Sequence, residues 1–258
     1  ERTFQIELFT PQEAAEIESS SRYFEDDQSI EANNSFIVYE NKVFSAEQVS
    51  FILKKDILFT VRDADIKSFG ETVRKLRVLR NTKTVNASQI LLLLLETQID
   101  LDADFIEYIS KLTNNVSKEL VKDKNYKEEV LLNITELQEY TILARESIVD
   151  KQRLVSSLIK SDLITVADNE RLRIVFKDIN SILQHIEFSF ERLEFLQNTF
   201  LGLVNIEQNT VIKIFTVVTV AFMPPTLIAS VYGMNFNIMP ELEWVGGYPF
   251  AIGLMIVS

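Results

Sequence analysis

Apolar and polar positions change rhythm along this chain, and each rhythm predicts a different element. Up to about residue 85 the pattern is mixed. Gln12 to Ser19 spaces its residues as a short helix does; beyond it the apolar residues fall in period-two or β-rich runs, Phe36-Ile37-Val38-Tyr39, Val49 to Leu53 and Ile57 to Val61. The last two flank Lys54-Lys55-Asp56, a polar connection of hairpin length. Ala64 to Arg80 returns to helical spacing, with Phe69, Val73, Leu76 and Leu79 on one face and Gly70 as its weak point.

From Asn86 the rhythm is that of long helices. Asn86-Ala87-Ser88-Gln89 has the form of a capping box, and no Pro or Gly follows until Gly202. Two helices, about 87–121 and 126–161, flank the polar Lys122-Asp123-Lys124-Asn125 and predict an antiparallel hairpin with a charged, solvated tip. A third helix, capped at Asp168, places Leu172, Phe176, Ile179, Leu183, Ile186, Phe190, Leu193, Phe200 and Val204 on a heptad seam, with Gln197 as its polar interruption. Such a seam needs partners along its length, either the hairpin, copies of itself, or both. The lone His185 beside it reads as structural or solvent-facing.

The same helix then enters an uncharged run, Ile214 to Pro240, bounded by Lys213 and Glu241. A helix of roughly 20 apolar residues crosses a bilayer core, and Val211 to Val231 meets that length. A second apolar run, Val245 to Ser258, is too short to span and reads as the start of another transmembrane helix, cut by the chain's end; Glu1 likewise reads as a cut end. The expected architecture is an α+β cytosolic domain (1–85), a long antiparallel helical hairpin (86–168) and a stalk helix (169–210) continuous with transmembrane helix 1 (211–231). A signature and outer loop (232–244) and a truncated transmembrane helix 2 (245–258) complete a membrane protein with two such helices per subunit.

Polar side chains inside the membrane run are ordered. A step of about 3.5 residues gives Asn209, Ile212, Thr216, Thr219, Met223, Thr226 and Ser230, while Val217, Val218, Val220, Phe222, Leu227 and Ile228 take the other faces. Any one threonine can simply bond its own helix or glue neighbours. The whole stripe, ending at Asn235, points to a shared water-filled pore lined by several copies. Pro224-Pro225 removes two backbone donors mid-membrane and predicts a bend or freed carbonyls. With no carboxylate on the stripe, the lining suits a hydrated divalent cation, because Mg2+ sheds its inner water reluctantly. Ile212 and Met223 are candidates for a dewetting gate. The charged domain and Lys213 belong on the cytosolic side; Glu241 and Glu243, in a loop without basic residues, either draw cations to the outer mouth or merely keep the loop soluble.

Composition narrows the partners. Thirty-eight acidic residues against 26 basic give a net charge of −12, which argues against nucleic acid and is compatible with cations. No cysteine and a single histidine exclude thiolate chemistry, Cys-based zinc sites and a histidine dyad. An enzymatic reading has almost nothing to rest on, and no organic cofactor is expected.

Tyr232-Gly233-Met234-Asn235-Phe236, followed by Met239-Pro240-Glu241-Leu242, resembles the signature and outer loop of the CorA-type magnesium transporters. Asn205-Ile206-Glu207-Gln208-Asn209, Ile212-Lys213-Ile214-Phe215, Met223-Pro224-Pro225-Thr226 and Gly247-Tyr248-Pro249 extend the resemblance, on the side of the enterobacterial branch; Arg22 to Asp27 is a weaker echo. The resemblance implies a homopentameric channel of the bacterial inner membrane, multi-pass, with its large N-terminal domain cytoplasmic, passing Mg2+ and to some degree Co2+ and Ni2+. By motif position, Tyr232, Gly233, Met234 and Asn235 belong to the selectivity entrance, Asn235 contacting the ion's water shell, with Asn209 and Met223 in the inner pore. It further implies cytosolic regulatory Mg2+ bound between subunits and favouring the closed state; no acidic pair here aligns with such a site, and Asn198 stands where some members have an acid. Two rivals stay open: a zinc-preferring relative, against which Met234 argues, and a membrane-anchored coiled-coil sensor or scaffold without conduction.

Overall fold

The computed structural model describes residues 22–40, 43–79, 85–122, 128–235, 237–240 and 243–258. Their elements are β1 (Tyr23–Glu25), β2 (Ser29–Glu40), β3 (Val43–Lys54), β4 (Ile57–Val61), α1 (Lys67–Leu79), α2 (Ala87–Lys122), α3 (Glu128–Lys160), α4 (Val166–Tyr232) and α5 (Gly247–Val257). The chain divides into two compact units, Glu1–Gln197 and Asn198–Ser258. The helix expected over Gln12 to Ser19 and residues 123–127 at the hairpin tip lie outside the described residues.

The first unit is built on an antiparallel meander, β1-β2-β3-β4. Lys54 pairs with Ile57 across a tight turn in which Lys55 takes a φ of 53°, so the expected hairpin forms with Lys54 still inside the strand. β2 and β3 pair over their full 12 residues each, from Ser29↔Lys54 to Glu40↔Val43. The polar Asn33-Asn34-Ser35 thus lies mid-strand and buried rather than at a turn. Tertiary partners hold it there: Asn33 Oδ1 accepts from Ser50 Oγ, and the Ser35 carbonyl accepts from Ser147 Oγ at 2.8 Å and Lys151 Nζ at 2.7 Å.

Helix α1 corrects the expected face. Ser68 and Thr72 are its buried residues, while Val73 is 48% exposed and Leu79 is also exposed. It packs on α2, where Lys75 Nζ donates to Thr97 Oγ1 at 3.0 Å, and Phe69 turns to the Phe36 ring at 6.3 Å.

Cross-helix pairs set the directions of the long helices. Asp102 meets Lys151 and Phe105 meets Tyr140, so α2 and α3 are antiparallel; Ser88 bonds Asp168, Arg171 clamps Glu96 at 2.7 and 3.1 Å, and Arg192 reaches Asn114, so α2 and α4 run parallel. Gln152 to Asn180 and Gln138 to Gln197 tie α3 to α4 in opposite directions. Leu91 to Leu95 are all buried, because α2 is covered on several sides at that level. Asn86 caps α2, its Oδ1 accepting from the Gln89 amide at 2.9 Å. The cap of α4 is Thr165 rather than Asp168: the Thr165 hydroxyl accepts from the Asp168 amide and donates to the Asp168 carboxylate, satisfying the helix start from both sides.

Along α4 the seam is shifted at every second position. Leu172, Ile179, Ile186, Leu193 and Phe200 are buried as expected, but their partners are Val175, Ile182, Ser189 and Leu196. Phe176, Leu183 and Gln197 are half-buried, and Phe190 is exposed. The apolar stripe is broad enough to fill three heptad columns, and the two that face α2 and α3 are the ones buried. His185 is exposed.

The centre of this unit holds a buried charge pair. Lys151 Nζ, fully buried, lies 3.1 Å from Asp102 Oδ2, 2.6 Å from Ser147 Oγ and 4.9 Å from the Phe36 ring centre. Burial pushes the Lys151 ammonium down and the Asp102 carboxyl up, and their mutual attraction opposes both.

Candidate functional site

The expected site residues belong to the second unit, on the last half of α4 and the loop beyond it. Every residue from Asn205 to Met223 is exposed, and this part of α4 is long and apolar enough to cross a membrane. α5, at 11 residues, is shorter than a span.

Asn209, Ile212, Thr216, Thr219, Met223, Thr226 and Ser230 all sit on α4 and are exposed. Thr216 Oγ1 donates to the Ile212 carbonyl at 2.8 Å, and Thr226 Oγ1 donates to the Phe222 carbonyl at 2.7 Å. Thr210, off the stripe, makes the same bond to Ile206 at 2.9 Å. This geometry fixes polarity: the hydroxyl hydrogen is turned to the backbone, and the oxygen keeps its lone pairs for an outside donor. Pro224 and Pro225 lie inside the helix, which continues through them. Having no N–H, they leave the carbonyls of Val220 and Ala221 without their usual i+4 donors, so two more acceptors arise beside Met223.

The helix ends at Tyr232, and the chain turns directly afterwards. Gly233 N–H donates to the Ala229 carbonyl at 2.9 Å, and Met234 N–H to Val231 at 3.3 Å. A Cβ on Gly233 would stand 3.0 Å from the Ala229 oxygen, so a side chain there would crowd the closing turn. Met234 and Asn235 follow, both exposed. Glu243 is exposed, whereas Glu241 and Phe236 lie outside the described residues. Trp244 packs on Phe250 with ring centres 5.7 Å apart, and a Cβ on Gly246 would meet the indole at 3.0 Å.

The donor set is entirely neutral. Among the described residues no group of three or more His, Cys, Asp or Glu side chains is placed to hold a metal ion. Hydroxyls, amides and backbone carbonyls can accept hydrogen bonds from water but supply no charge to replace a divalent ion's inner shell.

A sequence model of the family described as "CorA-like Mg2+ transporter protein" matches residues 2–258. The chain belongs to the CorA-like Mg2+ transporter family. This is a family of transporters rather than enzymes, with magnesium as cargo. Among CorA relatives, the magnesium transport protein CorA of Wolinella succinogenes is 41% identical over 261 residues, covering 99% of this chain and 81% of the relative. Magnesium transport protein CorA of Escherichia coli K12 is 37% identical over 258 residues, covering 97% and 80%. The complete structure of the CorA magnesium transporter from Methanocaldococcus jannaschii superposes with a TM-score of 0.78 at 22% identity, covering 92% of this chain and 75% of that one. The α+β domain followed by a long helix is therefore the CorA fold.

Proposed function

We propose that copies of this chain surround an axis and conduct hydrated Mg2+ along the face of α4 that carries Asn209, Thr216, Thr219, Thr226 and Ser230. The observation that carries this reading is the polarity of Thr216 and Thr226, whose hydroxyl hydrogens are turned to the helix backbone. A hydrated cation presents outward-pointing water hydrogens. A wall of oxygen acceptors holds that shell by hydrogen bonds and leaves the inner waters in place, which is the inexpensive route for an ion reluctant to dehydrate. Co2+ and Ni2+, as divalent ions that hold water shells, fit the same path.

In this reading Asn235 meets the water shell where α4 ends, with Tyr232, Gly233 and Met234 shaping the entrance. Gly233 closes the turn tightly enough to present the next two residues at the helix end. Ile212 and Met223, apolar on a polar stripe, narrow the path and exclude water when the helices approach. Glu243 and Glu241 add negative charge near the entrance. The assembly is a homo-oligomer, a pentamer by family resemblance, in the bacterial inner membrane. The Lys213 side, with the first unit, faces the cytosol, and α5 begins a second span. The exposed Ile174, Phe188 and Phe195 of α4, separated by multiples of seven residues, are surfaces for copies to cover. Motion of the stalk part of α4 opens and closes the path.

Asn235→Ala tests the entrance. Mg2+ uptake is expected to fall to background in magnesium-starved cells, while the variant still reaches the membrane and assembles as wild type does. Selective uptake at the wild-type rate would remove Asn235 from the proposed role.

A further inference from the structure

Away from the ion path, the β2–β3 hairpin extends beyond its sheet neighbours. β1 pairs only with Ile30 to Ala32 and its near neighbours in register, and β4 only with Ser50 to Lys54, so the hairpin's far half reaches past both. It lands on α2 and α3 through aromatic rings. Phe44 is the hub, with ring centres at 4.3 Å to Phe105, 4.6 Å to Tyr39, 5.1 Å to Tyr140 and 5.8 Å to Tyr108. The tyrosine rings are inclined to it by 40°, 75° and 49° respectively.

Beside them lies a cavity of about 290 Å³, lined by Tyr39, Phe44, Tyr108 and Tyr140 together with Glu119 and Glu136. No lysine or arginine is among its described lining residues. Tyr140 donates its hydroxyl to Glu136 Oε1 at 2.5 Å, which orients that carboxylate. The bond to Glu136, followed by burial, pushes the phenol up to about 12, so Tyr140 remains a donor across the physiological range.

This combination selects a ligand class. Aromatic faces carry negative charge density and attract a cation within about 6 Å of the ring centre. A metal ion is a poor match, since no group of three or more His, Cys, Asp or Glu side chains is placed to hold one among the described residues. An anion is repelled by both carboxylates, and a neutral apolar ligand would leave them without purpose. We propose that the cavity between the β2–β3 hairpin and the α2–α3 pair binds a small organic ammonium cation, its alkyl groups against the tyrosine rings and its charge shared with Glu136 and Glu119. The site is separate from the ion path and takes a different class of cation.

Choline is a suitable probe, and its uncharged carbon analogue 3,3-dimethyl-1-butanol has nearly the same shape. Calorimetric titration of the complete protein in lipid nanodiscs, with Mg2+ saturating, is expected to show choline binding once per subunit. The analogue should bind at least about tenfold more weakly, because it lacks the charge that the rings and carboxylates recognise. Glu136→Gln, on the exposed helix surface, and Tyr108→Ala should each weaken choline several-fold, and an unchanged thermal midpoint certifies the fold of each. Absence of choline binding, equal binding of the two probes, or wild-type affinity in Glu136→Gln would each overturn the assignment.

Discussion

The two units of the chain show opposite solutions to the same problem of placing polar groups. In the first unit a charged side chain is taken inside and matched: Lys151 is fully buried yet meets Asp102, Ser147 and the Ser35 carbonyl, and nearer the surface Arg171 is held bidentately by Glu96. In the second unit the hydroxyls of Thr216 and Thr226 bond to their own helix, and both side chains are exposed. The first unit has an interior of its own. The second leaves apolar side chains and the Thr216 and Thr226 oxygens exposed along α4. Polarity matched inside a core specifies a fold, whereas oxygens left exposed on an otherwise apolar helix stay open to groups outside the chain.

Removing one member of a matched group should have the largest effect. Lys151→Ala leaves Asp102 buried without its partner, and a loss of about 3–5 kcal/mol is expected in chemical denaturation of the first unit. Lys151→Met paired with Asp102→Leu should recover most of that loss, because an apolar pair has no charge to strand. A stability unchanged by Lys151→Ala would break the contrast between the units. In the second unit, Thr216→Val keeps shape and removes one acceptor. Mg2+ flux should fall about fivefold, the equivalent of one hydrogen bond of about 1 kcal/mol, with no change in thermal stability. Thr210→Val, which deletes the same backbone bond from another face, should leave flux intact. Equal losses from both would show that the hydroxyls act on the helix and not on the ion. The smallest effect is expected at Gly70, in mid-helix with open space where a Cβ would go. Gly70→Ala should stabilise the first unit by about 0.5–1 kcal/mol, as read from its unfolding midpoint.

Periodicity revealed much of this architecture before any coordinates. The hairpin around Lys55-Asp56, the α2–α3 pair, and the passage of α4 from a charged domain into an apolar run follow from spacing alone. Three features did not, and each is tertiary in origin. Asn33-Asn34-Ser35 has turn chemistry but lies in a central strand, where Ser50 satisfies Asn33 Oδ1 and Ser147 and Lys151 satisfy the Ser35 carbonyl from elsewhere in the chain. Large side chains drew the seam to Phe176, Leu183 and Phe190, whereas the buried column runs through Val175, Ile182 and Ser189. A heptad cannot tell which of two adjacent apolar columns faces the neighbour. Lys151 reads as a surface residue until Asp102 is placed beside it. For the candidate site, the stripe was legible as a step of about 3.5 residues; the direction of each hydroxyl hydrogen required coordinates.

The central claim is that α4 carries Mg2+ and does not merely anchor the protein. Influx of Mg2+ into liposomes containing the complete protein, followed by a trapped magnesium-sensitive dye, tests it most directly. The account predicts influx well above that of protein-free liposomes, supported by a Mg2+ gradient alone and lost in Asn235→Ala. Wild-type liposomes no more permeable to Mg2+ than empty ones, with the protein inserted and assembled, would contradict it and leave a membrane-anchored scaffold as the better description.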